Sequence, residues 1–151
     1  MPDKVILWMI DYIRKILDNI PEDVKGESAT PAEHHLFDIA EYATKLSRAD
    51  EDHFHNFLAQ LLYISNKAHP YIRLEISFLF NRVRGPDTED HKNLVRVMKY
   101  TQVTIVLPLI LSIEKTGNVK WYVDAAFAVQ KYMRSPTGGL MTMGTVGAYV
   151  H

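Results

Sequence analysis

Asp124 is the only carboxylate beyond Glu114 in this chain of 151 residues. It sits near the start of Trp121–Gly144, WYVDAAFAVQKYMRSPTGGLMTMG, which reads as a strand, a loop, and a Gly-Gly entry into a second strand. Its neighbours Val119, Trp121, Val123, Ala125, Ala126 and Phe127 are apolar or small, so the expectation is a mostly buried strand. A buried carboxylate is costly unless it is paired, hydrogen-bonded or bound to a cation. Asp124 is therefore a candidate ligand for a divalent metal. The plainer alternative is an Asp that caps a turn or pairs with Arg134.

A second set of chemistry-bearing residues is cationic. Residues 1–60 carry twelve acidic against six basic side chains, whereas residues 61–99 carry seven basic against four acidic. Arg73, Arg82, Arg84, Lys92, Arg96 and Lys99 fall on the polar sides of two expected helices. Such a face could meet a polyanion, with ordinary solvated helix faces as the alternative. The histidines offer less. His34-His35 lacks a clear third ligand, and His53 and His55, two apart on a helix, point to different sides. The chain has no cysteine, which removes disulfides and thiolate metal sites and fits a reducing, intracellular compartment. The apolar run Val5–Ile10 is too short to span a bilayer and no small-residue cleavage site follows it.

The elements that would position these residues follow from periodicity. Lys4–Met9 suits a strand. Ile10, Ile13, Ile16, Leu17 and Ile20 then recur at helical spacing until Pro21. Glu22–Ser47 is a long polar connection. Asp50–Ala68 is the strongest helix, with acids in its first turn and Phe54, Phe57, Leu58, Leu61, Leu62 and Ile64 along one side. Pro70 opens a further helix bearing Ile72, Ile76, Leu79, Phe80 and Val83, stopped by Gly85-Pro86. Asp87 or Thr88 caps the next, which buries Leu94, Val95, Val97 and Met98. These three helices, joined by short turns, should pack as a small bundle. After Tyr100, Val103–Leu107 and Leu109–Ile113 are β-prone, with Pro108 between them. A turn at Lys115–Asn118 leads into the strand Val119–Phe127, and Gly139–Met143 and Val146–Val150 suit two more. The class is α+β: a three-helix bundle followed by an antiparallel sheet.

Several of these segments resemble the copia-type retrotransposon polyprotein, in the stretch between reverse-transcriptase palm and RNase H domain. Val123-Asp124-Ala125, Phe127-Ala128-Val129 and Ser135-Pro136-Thr137-Gly138-Gly139 are similar to the start of that RNase H domain. Upstream, Gln60–Tyr63, Ala68–Ile72, Arg82–Pro86 and Val97–Tyr100 resemble the connecting region. The resemblance implies three parts: residues 1–48 as the end of a palm-like region and its linker, 49–102 as a connection or thumb-like bundle, and 103–151 as a partial RNase H-like β region. The sheet would then be an incomplete RNase H-like one.

The resemblance makes Asp124 the first metal carboxylate of an RNase H site served by Mg²⁺ or Mn²⁺. The polymerase carboxylates would lie upstream and the remaining RNase H carboxylates beyond His151. Two-metal chemistry needs several carboxylates, and the chain has no Asp-Asp pair. The expected role is therefore weak binding of template-primer or RNA–DNA hybrid without catalysis and without tightly held metal. The alternative is a non-enzymatic interaction module that uses an exposed sheet edge to hold a protein partner or a second copy.

Overall fold

A computed structural model describes residues 4–20, 24, 26–34, 36–39, 42–113, 117–125, 137–143 and 148–150. The chain divides into a helical unit, Met9–Leu107, and a β unit made of Met1–Trp8 with Pro108–His151. This grouping cuts across the expected 1–48 and 103–151 segments, because the first strand pairs with a strand beyond Pro108. The α+β class holds.

The helical unit contains four α-helices among the described residues: α1 (Ile10–Leu17), α2 (Arg48–Lys67), α3 (Arg73–Phe80) and α4 (Thr88–Val103). In α1, Ile13 and Ile16 are buried. The helix stops a turn before the expected Ile20, where tighter bonds take over, Asn19 N–H to Ile16 O at 3.2 Å and Ile20 N–H to Leu17 O at 3.2 Å. Ile20 still reaches the core. The start of α2 lies two residues earlier than expected. Ser47 caps it, accepting from the Asp50 N–H at 3.3 Å and donating its hydroxyl to Asp50 Oδ2 at 2.6 Å. Phe54, Phe57, Leu58, Leu61 and Ile64 recur every three or four residues and are buried. Pro70–Ile72 forms a single 3-10 turn before α3, since the Pro70 ring removes a donor and pre-sets φ at a helix start. Ile72, Ile76, Leu79, Leu94 and Val97 close the same core.

Val103 ends the fourth helix and the chain then turns, with Leu107 N–H on Thr104 O at 2.9 Å, so the expected strand over Val103–Leu107 is absent. The Thr101 and Thr104 hydroxyls donate to the carbonyls four residues back, Val97 O and Tyr100 O, both at 2.8 Å. Such bonding lets threonine sit in a helix despite its branch.

An ion-paired capping box starts α4. Asp87 Oδ1 accepts the Glu89 and Asp90 N–H groups at 3.0 Å, and Asp90 Oδ2 accepts the Asp87 N–H at 3.0 Å. From the end of α3, Arg82 Nη2 donates to Asp87 Oδ2 at 2.7 Å and Arg82 Nε to Asp90 Oδ1. Asp87 and Asp90 are almost fully buried. Burial pulls the Arg82 guanidinium down and pushes the Asp90 carboxyl up, but the bonds and charges of Asp90 and Asp87 hold Arg82 above its ordinary value. The same corner anchors the long connection. Thr88 N–H donates to Thr44 O at 2.9 Å, Leu46 N–H to Pro86 O at 3.1 Å, and Lys45 Nζ to Gly85 O.

In the β unit, β1 (Lys4–Leu7) pairs antiparallel with β2 (Leu109–Ser112), from Lys4 opposite Ser112 to Leu7 opposite Leu109. A second sheet has the order β3 (Lys120–Ala125), β4 (Thr137–Thr142), β5 (Ala148–Val150), antiparallel throughout. The two C-terminal strands expected from the sequence are therefore present. The expected hairpin from β2 into β3 is not, because β2 takes β1 as its partner and β3 takes β4. Residues 114–116 of that turn lie outside the described residues. Among the described residues, no helix is long and apolar enough to cross a membrane.

Two stability predictions follow from the helical unit. Replacing Arg82 by Ala leaves two buried carboxylates without their counter-charge and should cost about 3 kcal/mol. Arg84→Ala, two residues on and exposed, should stay within about 0.5 kcal/mol; urea denaturation of both variants measures the difference. The second concerns His69, which is 1% exposed, with Nε2 donating to Thr104 O at 3.2 Å and Nδ1 without a hydrogen-bond partner. Burial holds its imidazole below the ordinary 6.5, against the opposing pull of the Thr104 and Ala68 backbone. A depressed folded value means the unfolded chain binds the proton first. Stability is therefore full above 6.5 and falls as pH drops through the folded value. Glu75, raised by burial, acts with the opposite sign. Thermal melts of His69→Gln against the parent chain between neutral and mildly acid pH isolate the histidine, and the variant should show the flatter slope.

Candidate nucleic-acid interface

The exposed side of α4 lines an open cleft of about 340 Å³ in the helical unit. Lys92, Arg96 and Lys99 lie along its floor at i, i+4 and i+7, the spacing that puts side chains on one helix face. The opposite wall comes from the connection, with Glu27, Ser28 and Glu33, and Glu89 closes one end. The cleft therefore depends on two segments that are distant in sequence and are joined where Arg96 bonds Glu33 and Thr30.

The three cations are held differently. Lys92 Nζ reaches Glu89 Oε1 at 2.7 Å, an exposed pair one turn apart. Such a pair contributes at most a few tenths of a kcal/mol and yields readily to a stronger anion. Arg96 is more constrained. Its Nη1 donates to Glu33 Oε1 at 2.6 Å and its Nη2 to Thr30 Oγ1 at 3.0 Å, while Nε is buried with no hydrogen-bond partner. A buried guanidinium N–H without an acceptor is costly, so this group favours an added oxygen at the cleft. Lys99 runs past Gly26, whose φ of 142° lies in the region only glycine adopts freely. A Cβ at Gly26 would meet Lys99 Cε at 3.4 Å. Glycine there lets the backbone and the lysine stem share one space.

The other three expected contacts are placed elsewhere. Arg82 was expected on the polar side of its helix and is instead turned into the capping box, its side chain 17% exposed. Its two carboxylate partners consume the fork that a phosphate would need. Arg73 Nη1 donates to Asn66 Oδ1 at 2.6 Å, and Arg84 is exposed beyond α3. Neither lines the cleft. The sequence missed Glu27 and Glu33, because no periodicity links residue 33 to residue 96. A smaller cleft of about 190 Å³ brings His53, His91 and Asp50 beside Phe54, Phe57 and Met98, another juxtaposition without a sequence signal.

Asp124 departs from its expectation in one respect. Every residue of β3 is exposed, Asp124 included, so the strand is not the buried one inferred from its apolar neighbours. Asp124 stands opposite Gly138 on β4, and a Cβ at Gly138 would meet nothing within 4 Å. The desolvation argument for a bound cation therefore lapses at this position. Arg134 and Glu114, the other groups considered for it, lie outside the described residues. Among the described residues, no three His, Asp or Glu side chains gather as a metal site.

No family model, curated protein or solved structure matches the chain, and the copia-type resemblance rests on the residues quoted for it alone.

Proposed function

We propose that the chain is a non-catalytic piece of a copia-type reverse transcriptase–RNase H polyprotein, working inside the cell, whose helical unit holds the sugar-phosphate backbone of a template-primer or RNA–DNA hybrid. The observation that carries this reading is the cleft floor: Lys92, Arg96 and Lys99 in register on one face of α4, with the Arg96 Nε unpartnered. A row of cations spaced by helical turns meets phosphates without reading bases. Glu27, Glu33 and Glu89 in the same cleft compete with phosphate, so binding is weak and sequence-independent. Asp124 would be a surviving metal-ligand position in this reading, with Mg²⁺ or Mn²⁺ bound too loosely to catalyse.

The test is fluorescence anisotropy of a labelled RNA–DNA hybrid across a salt series. Three phosphate contacts give a log–log slope of about −3. Changing Lys92, Arg96 and Lys99 to Ala should flatten it by roughly one unit per contact. Arg84→Ala, outside the cleft, should leave it unchanged. Salt-insensitive binding, or binding indifferent to the triple change, overturns the reading. For Asp124, paramagnetic broadening by Mn²⁺ should be weak, centred on residue 124 and lost in Asp124→Asn. Metal-dependent primer extension or hybrid cleavage by the purified chain would show that catalysis had been wrongly set aside.

A second reading has its own observation. Val119, Trp121, Tyr122 and Val123 are all about half exposed or more, with Val123 at 71%. Large apolar side chains concentrated on one edge strand mark an interaction surface. Here the chain is a non-enzymatic module that holds a protein partner by that edge.

A further inference from the structure

We infer that Thr30 is a phosphorylation site, and that its phosphate is taken up by Arg96 and closes the α4 cleft to other anions. The modification stands on its own geometry, whereas its effect on nucleic acid rests on the first reading above. Thr30 is exposed in an irregular stretch of the connection, and Pro31 follows it. A proline biases the residue before it toward extended backbone, the form in which a kinase cleft takes an acceptor. The Thr30 hydroxyl donates to Ala32 O at 2.9 Å, a local bond on the surface. Irregular surface segments open at small cost compared with the whole fold. The reaction that fits is phosphoryl transfer from ATP by a proline-directed protein kinase. Thr30 Oγ1 attacks the γ-phosphorus, the bond from that phosphorus to the β,γ-bridging oxygen breaks, ADP leaves, and the hydroxyl proton passes to the carboxylate base of the kinase.

The group beside Thr30 separates it from an arbitrary surface threonine. Arg96 Nη2 donates to Thr30 Oγ1 at 3.0 Å, and Nη1 is held by Glu33 Oε1 at 2.6 Å. Nε is buried without a hydrogen-bond partner. In a planar guanidinium, Nε–H and one Nη2–H point the same way and form one edge of the fork. That edge is half used, with Nη2 on the hydroxyl and Nε lacking an acceptor. A phosphate on Thr30 adds three acceptor oxygens and a charge of about −1.5 to −2, attached to the oxygen that Nη2 already bonds. Two of those oxygens can span Nη2 and Nε in the bidentate manner that makes arginine–phosphate pairs strong, while Nη1 keeps Glu33. Ser28, the neighbouring hydroxyl in the cleft wall, donates to Thr30 O at 2.8 Å and is followed by Ala29, so it lacks the proline. Charge decides the effect on the cleft. Among its described lining residues, Lys92, Arg96 and Lys99 balance Glu27, Glu33 and Glu89. A dianion at Arg96 leaves the cleft net negative and consumes the fork that a nucleic-acid phosphate would use.

The intact chain is treated with a purified proline-directed kinase and Mg²⁺-ATP, and mass spectrometry locates the phosphate. Thr30 should carry it, and a Thr30 left bare after exhaustive treatment overturns the proposal. Ser135-Pro136 is the other such dipeptide of the chain, so Thr30→Ala, treated alongside, reports what any other phosphate does. Phosphorylation should raise the urea midpoint of the parent by roughly half a molar. The same treatment should leave the midpoint of Arg96→Ala where it was. Arg96→Lys, which keeps the charge without the fork, should show less than half of the parent's shift. Each variant is compared with its own untreated form, which removes the effect of the substitution on folding. A shift of equal size in all three, or none in the parent, overturns the pairing with Arg96. The phosphorylated parent should bind the labelled RNA–DNA hybrid roughly ten-fold more weakly at fixed salt, whereas treated Thr30→Ala should bind as its untreated form does. If the untreated parent binds the hybrid and phosphate on Thr30 does not weaken it, closure of the cleft is overturned. If the untreated parent fails to bind the hybrid, the nucleic-acid reading falls alone, and the mass and urea measurements decide the modification site.

Discussion

The helical unit turns on one guanidinium. Arg82 leaves the end of α3 and bonds both carboxylates that open α4. Without it, Asp87 and Asp90 would be two like charges held a few ångströms apart and out of water, an arrangement that cannot persist ionised. With it, the carboxylates are free to cap the helix through their remaining oxygens, and the cap decides where α4 starts. Lys92, Arg96 and Lys99 share a face by their spacing, and the connection is tied to the start of the same helix because Thr44 and Leu46 bond the backbone at that corner. A local charge balance thus sits at the corner where the connection meets α4.

This also separates two kinds of arginine that look alike on paper. Arg82 and Arg84 are two apart in a segment ending at Gly85, and periodicity places both outside the apolar stripe. The first is a structural counter-ion and the second is solvated. What distinguishes them is the acid pair at residues 87 and 90, which follows a tight turn and folds back over the first arginine. Asp87 announced a helix start in the sequence, but that Arg82 would serve it and Asp90 as counter-ion had no local signal.

Much of the helical unit could be read from periodicity: Phe54, Phe57, Leu58, Leu61 and Ile64, then Ile72, Ile76 and Leu79, are buried as their spacing requires, whereas Phe80, expected in the same stripe, is exposed at the end of α3. The β unit was less legible for a definite reason. Alternation and β-propensity identify strands but not partners, and the partner of β2 lies about a hundred residues earlier in the chain. Val103–Leu107 misled because its first residue completes α4 and the next three turn, closed by Leu107 N–H on Thr104 O, so β-branched residues there have no strand to join. Asp124 misled because apolar neighbours were taken to imply burial, whereas an edge strand can carry Trp121, Tyr122 and Val123 into solvent. The acidic wall of the cleft had no local signal at all, since Glu33 and Arg96 meet only through the tertiary fold.

The pairing of β1 with β2 has a consequence for how the chain is put together. Leu7 and Leu109 face each other across that ladder, so the chain leaves the sheet at Trp8 and returns at Pro108 about one strand spacing away. Topologically the whole of Met9–Leu107 is an insertion between two adjacent strands of a hairpin. A unit whose ends leave and re-enter at neighbouring points imposes little on its host and can be gained, lost or exchanged as a cassette. The hydrophobic cluster lies within the helical unit, and both chain connections between the two units pass through this one pair of strands.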